Sequence, residues 1–95
     1  MIIIREVLTA KPGMASKLAK MMKGAFKSTP NSRVLTDLVG NYNTVVVETE
    51  MSSLMDFEKM MEEYKSGKPG EMGQSMAGYT DMYLTGRREI YQVTD

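Results

Sequence analysis

Apolar and polar residues follow two different periods along the chain, and the change of period marks the predicted elements. Residues 2–9 are rich in β-branched side chains and predict a first strand. Behind Pro12-Gly13 the apolar residues recur at helical spacing, and Thr29-Pro30-Asn31 ends this pattern. The predicted helix has Phe26 beside one apolar stripe, which consists of Met14, Leu18, Met21, Met22 and Ala25.

Two further strands and a second helix follow. Residues 33–39 and 42–50 predict strands, and Gly40-Asn41 between them favours a tight hairpin turn. Ser52 or Ser53 is a candidate cap for the second helix, which Gly67 and Pro69-Gly70 end. Its predicted buried stripe consists of Leu54, Phe57, Met60, Met61 and Tyr64.

The last part of the chain predicts one more strand. In residues 71–80, Met72, Met76 and Tyr79 have helical spacing, but two glycines weaken a helix there. Residues 82–93 form the last predicted strand, with Gly86 as a bulge or a point of close approach. The order of elements predicts the α+β class. We expect one ferredoxin-like βαββαβ domain over residues 1–95, with two helices on one face of a four-stranded antiparallel sheet.

The hairpin assigns side chains to the two faces of this sheet. With a turn of two or four residues, the helix-facing side carries Val34, Thr36, Leu38, Val45 and Val47. The other face carries Arg33, Leu35, Asp37, Val39, Tyr42, Thr44, Val46 and Glu48. Arg33 and Glu48 then lie opposite one another as an ion pair. A turn of three residues would reverse the assignment.

The second face keeps several apolar side chains that a solvent-facing sheet would not need. They are Leu35, Val39, Tyr42 and Val46, joined by either the Ile3/Val7 set or the Ile2/Ile4/Leu8 set of the first strand. Monomers rarely expose an apolar patch of this size, so we expect a homodimer whose sheets pack face to face. The alternative is a monomer with a half-apolar sheet.

The amino-acid composition limits the partners and the catalytic groups that this chain can use. Twelve basic and twelve acidic residues cancel, which argues against binding to nucleic acid or to anionic membranes. The chain has no Cys and no His, which excludes a thiolate nucleophile, an imidazole base and the commonest metal ligands, so no cofactor and no metal are expected. No apolar stretch approaches the roughly 20 residues of a membrane helix, and a cytoplasmic location is the expectation.

Three segments carry a resemblance to a known superfamily. They are Asn43-Thr44-Val45-Val46-Val47-Glu48, the helix start Ser53-Leu54, and Thr85-Gly86-Arg87-Arg88-Glu89-Ile90. Together with the order of elements, they resemble the dimeric α/β-barrel superfamily, which includes NIPSNAP-like, stress-responsive barrel and antibiotic-biosynthesis monooxygenase-like proteins. The resemblance implies a dimeric barrel that binds a small hydrophobic or aromatic molecule, either between sheet and helices or inside the barrel. For some members it also implies oxidation without a cofactor. The chain lacks the axial histidine of the haem-binding branch.

The candidate ligand-binding residues are the polar and aromatic residues expected near such a cavity: Arg33, Tyr42, Glu48, Tyr83 and Arg87. Alternation in the last strand groups Tyr83 and Arg87 with Glu89 and Tyr91, unless Gly86 introduces a bulge. A general base would be Glu48, Asp37 or Glu89, with its pKa raised by burial. The alternative is a structural or assembly protein in which the strand charges only set the dimer register; these charges are Arg5, Arg33, Glu48, Arg87, Arg88 and Glu89.

Overall fold

The computed structural model describes residues 1–65 and 78–94, and it contains the predicted order of elements. The strands are β1 (Ile2–Ala10), β2 (Ser32–Thr36), β3 (Thr44–Met51) and β4 (Tyr83–Gln92). The helices are α1 (Ala15–Ala25) and α2 (Leu54–Lys65), and a short 3₁₀ turn spans Tyr79–Asp81. The predicted stop of the second helix at residues 67–70 and the possible helix around Met72 and Met76 lie outside the described residues.

The four strands form one antiparallel sheet in the order β2-β3-β1-β4. The two most apolar strands, β1 and β3, therefore lie at the centre, where both of their edges are hydrogen-bonded. Both helices follow a strand and return to the same face, which confirms the predicted ferredoxin-like fold. Neither helix of the described part is long and apolar enough to cross a membrane.

The core lies between α1 and the middle of the sheet. Leu18 and Met22 of α1 pack against Val45 and Val47 of β3, and all four side chains are fully buried. Close packing of this kind removes apolar surface from water and is the main stabilising term of a small domain. The predicted stripe of the first helix is confirmed, because Leu18, Met22 and Ala25 are its buried residues.

The connection between β2 and β3 differs from the prediction. The strand pairing has the register of a two-residue turn at Gly40-Asn41, since Thr36 lies opposite Val45. However, β2 ends at Thr36, because the Asp37 carboxylate Oδ1 accepts the Thr44 backbone N–H at 2.9 Å and closes a wider loop. The tight turn was therefore wrong, whereas the predicted assignment of faces within the strands is correct.

The wider loop removes three predicted residues from the sheet. Leu38 was expected against the helices, but its side chain is 99% exposed. Val39 and Tyr42 were expected on the opposite face and are also almost wholly exposed in the loop. Of the predicted apolar set on that face, Leu35 and Val46 remain in strands, and β1 adds its Ile3/Val7 set.

A bulge near the start of β4 changes which way its side chains point. Thr9 pairs with Thr85, but Ala10 pairs with Tyr83, so Leu84 is the extra residue. Tyr83 therefore packs against the helix-side core, whereas Arg87 and Glu89 alternate onto the opposite face. The predicted grouping of Tyr83 with Arg87 on one face was wrong, because the bulge reverses the alternation at Leu84.

The two helices cover the sheet unequally. α1 packs closely on β2 and β3, but none of the α2 side chains described from residue 54 to 63 is fully buried. Phe57, Met60 and Met61 of the predicted stripe are partly buried, while Leu54 is 59% exposed and was wrongly placed in it. Consequently, space remains between α2 and the β1–β4 half of the sheet.

Candidate functional site

This space is a cavity of about 360 Å³ between the sheet and the helices. Volumes of about 300–1,000 Å³ are typical of small-molecule sites, so the cavity suits a compact ligand. Its apolar wall comes from both layers. The sheet contributes Ile4, Leu8 and Val47, and the helices contribute Met22, Phe57 and Met60.

Aromatic rings close one side of the cavity. Tyr79 and Tyr83 both line it, and their rings are stacked with centroids 5.7 Å apart and planes at 23°. Offset stacking of this kind holds flat rings in place and presents an apolar surface to a ligand. Tyr83 reaches this position because of the β4 bulge.

One charged pair also lines the cavity, on the helix-facing side of the sheet. Glu6 of β1 lies opposite Arg88 of β4, and Arg88 Nε donates a hydrogen bond to Glu6 Oε1. The Arg88 guanidinium carbon also lies 5.1 Å from the centroid of the Phe57 ring on α2, a cation–π contact. These two contacts connect β1, β4 and α2 through a single arginine.

The opposite face of the sheet, which neither α1 nor α2 covers, carries a row of alternating charges. We call it the charge row; it runs across all four strands as Arg33, Glu48, Arg5 and Glu89. Arg33 Nη2 lies 2.5 Å from Glu48 Oε1, as the sequence predicts. Arg5 lies 3.6 Å from Glu48 and 3.5 Å from Glu89, so it links two carboxylates.

The electrostatics of this row stabilise the ionised forms. The hydrogen bond from Arg33 to Glu48 raises the pKa of the Arg33 guanidinium above its usual value. The hydrogen bond donated by Arg87 Nε lowers the pKa of the Glu89 carboxyl. The pKa shift of Glu89 is opposite in direction to the raised pKa that a general base at this position would need, because its arginine neighbours favour the carboxylate.

The structure distributes the five predicted ligand-binding residues over several places. Arg33 and Glu48 are paired in the charge row, and Arg87 lies beside it, hydrogen-bonded to Glu89. Tyr42 is 87% exposed in the β2–β3 loop. Tyr83 lies in the cavity wall, and Arg87 borders the cavity from the edge strand. The five residues therefore do not converge on one site.

Sequence reasoning missed Glu6 and Phe57 as neighbours of the cavity and treated Arg88 only as a strand charge. One signal was available for Glu6. The side chains of Ile4 and Leu8, two residues before and after it, are buried under the helices, so alternation places Glu6 on the same face. A carboxylate at such a position is unusual. No group of three or more carboxylates able to hold a metal ion occurs in residues 1–65 and 78–94.

Comparison with known proteins gives fold neighbours at low sequence identity. No protein-family model matches the chain, and no curated protein matches its sequence. A NIPSNAP family protein from Agrobacterium tumefaciens superposes with a TM-score of 0.80 at 12% identity, over 99% of this chain and 93% of that one. A NIPSNAP domain protein from Burkholderia xenovorans gives 0.77 at 11% identity, over 99% and 95% of the two chains.

A third neighbour differs from these two in its description. It is a candidate antibiotic biosynthesis monooxygenase from Chloroflexus aurantiacus, with a TM-score of 0.74 at 11% identity over 99% of this chain and 94% of that one. The chain has the fold of these proteins. The predicted resemblance to the superfamily is thereby confirmed for the fold, and at such low identity the fold carries no activity with it.

Proposed function

We propose that this protein is a homodimer that binds a small hydrophobic or aromatic molecule in the cavity between the sheet and α2. The observation that carries the proposal is the cavity itself, about 360 Å³ with apolar and aromatic walls. Burial of an apolar ligand there removes both its own surface and the exposed faces of Phe57 and Met60 from water. Methionine side chains adapt to ligands of irregular shape, which suits such a site.

The test compares two tryptophan variants of α2. Met60→Trp places a large ring in the cavity, whereas Met55→Trp places it on the exposed side of the same helix, where Met55 is 64% exposed. Equilibrium dialysis with naphthalene should show binding to the parent and to Met55→Trp. Binding to Met60→Trp should be at least about tenfold weaker, because the new ring fills the site. Equal binding to all three proteins would contradict the proposal.

The dimer is supported by the uncovered face of the sheet. Leu35 and Ile3 are partly exposed there, whereas Val7 and Val46, side by side at its centre, are buried within the chain. The charge row on the same face alternates in sign from one edge strand to the other. A face that combines partly exposed apolar side chains with alternating charges is suited to a second copy of itself.

Charge complementarity selects one orientation of the two sheets. With a twofold axis parallel to the strands, β2 lies over the partner's β4, and β3 lies over the partner's β1. Arg33 then faces the partner's Glu89, and Glu48 faces the partner's Arg5. An axis perpendicular to the strands would place each charge opposite its own copy and repel. We therefore expect sedimentation equilibrium at micromolar concentration to give the mass of a dimer. The mass of a monomer would contradict the proposed dimer.

A cofactor-free oxygenase activity is the second candidate, and one observation favours it: the Glu6 carboxylate lies in the wall of an aromatic cavity. There it is placed to take a proton from a bound phenolic or enolic substrate, the first step that oxygenation without a cofactor requires. Oxygen consumption with anthrone, measured with an electrode, would support an enzyme. If naphthalene binds but anthrone consumes no oxygen, a binding protein without catalysis is favoured.

The other alternative is an assembly protein whose charges only fix the dimer. The close pairing within the charge row favours it, because every member already has a partner inside the chain. This alternative predicts a dimer without ligand binding. The naphthalene experiment therefore separates it from the proposed function.

A further inference from the structure

The pair of Glu6 and Arg88 stands at a position where stability alone would favour apolar side chains. The neighbouring helix-facing residues of β1, Ile4 and Leu8, are buried, and Glu6 has about a quarter to a third of its side chain exposed (29%). The pair is partly exposed, at 41% for the Arg88 side chain, and ion pairs open to water contribute little to stability. Stability therefore gives little account of two charges in the wall of the cavity.

The geometry leaves part of each group available to a ligand. Arg88 binds Glu6 through Nε, and its guanidinium is held over the Phe57 ring. Among the described residues, none accepts a hydrogen bond from the two terminal amino groups of Arg88. Likewise, no described residue donates to Glu6 Oε2. A donor and an acceptor thus lie next to each other in the wall of the cavity.

The sum of the two charges defines the class of ligand. Glu6 and Arg88 neutralise each other, so a charged ligand would bring an uncompensated charge into a partly desolvated site, which is costly. A hydroxyl group is both a donor and an acceptor, and it can satisfy both members of the pair at once. The aromatic walls favour a flat apolar body behind that group.

We propose that the cavity selects a neutral aromatic molecule bearing a hydroxyl group, with Glu6 accepting from the hydroxyl and Arg88 donating to its oxygen. This inference rests on the proposed function, because it assigns the polar anchor of the same cavity. Glu6 and Arg88, which lie opposite one another on β1 and β4, would together bind the hydroxyl group of the ligand.

The test uses three probes with the same ring system. 2-Naphthol is neutral and carries the hydroxyl, naphthalene lacks it, and 2-naphthoate is an anion. The protein has no Trp, so the fluorescence of the naphthyl ring can be followed without interference from indole. We expect the parent to bind 2-naphthol about tenfold more tightly than either of the other probes, the effect of one hydrogen bond to a charged group.

Two variants shift this preference in opposite directions. Glu6→Gln leaves Arg88 without its counter-charge, so 2-naphthoate should overtake 2-naphthol. Arg88→Gln leaves Glu6 uncompensated, and 2-naphthoate should bind even more weakly than to the parent. The matched control is Glu58→Gln, an exposed carboxylate of α2, which should leave the order unchanged. Circular dichroism checks that each variant is folded. If only one of Glu6→Gln and Arg88→Gln folds, that variant alone still tests the anchor.

The possible failures are distinguishable. If naphthalene binds but all three probes bind equally to the parent, the cavity is a ligand site and the Glu6–Arg88 anchor is wrong. If Glu6→Gln is folded and keeps the parental order, the anchor is also wrong. If no probe binds to the parent, the proposed function fails, and this inference fails with it.

Discussion

At the scale of single residues, the close approach at Gly86 sets a limit on substitution. A Cβ atom at this position would lie 2.8 Å from Cδ2 of Leu8, which is less than a van der Waals contact. Leu8 belongs to the buried core, so it cannot move away freely. The sequence indicated a bulge or a close approach at Gly86, and the structure shows the close approach, while the bulge lies at Leu84.

Gly86→Ala should therefore lower the free energy of unfolding by about 1–3 kcal/mol, because the core must shift to accept one methyl group. Urea unfolding followed by circular dichroism measures this change. Gly24→Ala is the matched control: in the described part of the chain no heavy atom lies within 4 Å of the new Cβ, and its helical position should gain up to about 1 kcal/mol. Equal effects of the two substitutions would contradict the prediction.

The carboxyl of Glu89 gives a prediction for pH. Its pKa is lowered below the ordinary value of 4.5 because Arg87 donates a hydrogen bond to the carboxylate. A lowered pKa in the folded state contributes stability above pH 4.5, and this contribution is lost as pH falls through the lowered pKa. The group is on the surface, so the effect is small and is screened by salt.

Glu89→Gln should therefore lower the urea midpoint relative to the parent at pH 7, and the difference should shrink as the pH falls through the lowered pKa of Glu89. Unfolding curves of both proteins over a series of pH values from 7 downward measure it. Glu58→Gln, on the exposed side of α2, is the control at pH 7 for the loss of one surface carboxylate. A difference that stays constant as the pH falls would contradict the assignment to the ionised carboxylate.

At the scale of the elements, the two amphipathic helices behave differently although their patterns are similar. The stripe of α1 is buried as predicted, with the side chain of Leu18 fully inaccessible. The stripe of α2 is only partly buried, since α2 stands away from the sheet over the cavity. Periodicity predicts which side of a helix is apolar, but it contains no information about the distance to the next layer.

Truncation of one leucine in each helix should show this difference. Leu18→Ala should cost about 2–5 kcal/mol, because it opens a cavity in the packed core. Leu54→Ala, at a residue that the same periodicity placed in a buried stripe, should change stability by less than about 0.5 kcal/mol. Urea unfolding of both variants measures the two values, and similar losses would show that α2 packs as tightly as α1.

At the scale of the whole molecule, the charge row determines how two copies are proposed to meet. Arg33 is the most exposed member of the closest pair, with 69% of its side chain exposed, whereas Glu48 beneath it is mostly covered. In the proposed dimer Arg33 also faces the partner's Glu89, so the exposed guanidinium would gain a second carboxylate. Symmetry repeats this contact twice in each dimer.

Arg33→Glu should therefore raise the dimer dissociation constant at least about tenfold, because two repulsive contacts replace two attractive ones. Sedimentation equilibrium measures the constant, and added salt should reduce the difference from the parent. Lys17→Glu, on the exposed side of α1, is the matched control with the same charge change. A dimer equally strong in both variants would exclude the proposed orientation of the sheets.

The fold could be predicted from the sequence because its signals are local. Periods of about two and 3.6 residues mark the strands and helices, and Pro12-Gly13 and Ser53 mark helix starts. Even the pair of Arg33 and Glu48 follows from the sequence, because both residues are equally far from the centre of Gly40-Asn41. The pairing holds although the turn itself is wider. The side chain of Asp37 ended the strand early, a competition between side-chain and backbone hydrogen bonds that propensity does not weigh.

The candidate site could be predicted only in part, because it depends on contacts between distant segments. Glu6 and Arg88 are 82 residues apart in the chain and meet only through the register of β1 and β4. A single bulged residue, Leu84, decides that Tyr83 faces the cavity and Arg87 the charge row.

By itself, therefore, the sequence determined the elements, their order and the two faces of the sheet, since local sterics and solvation set these. Only the tertiary structure decided the cavity and its charged pair, because strand register and the spacing of layers depend on how the whole core packs.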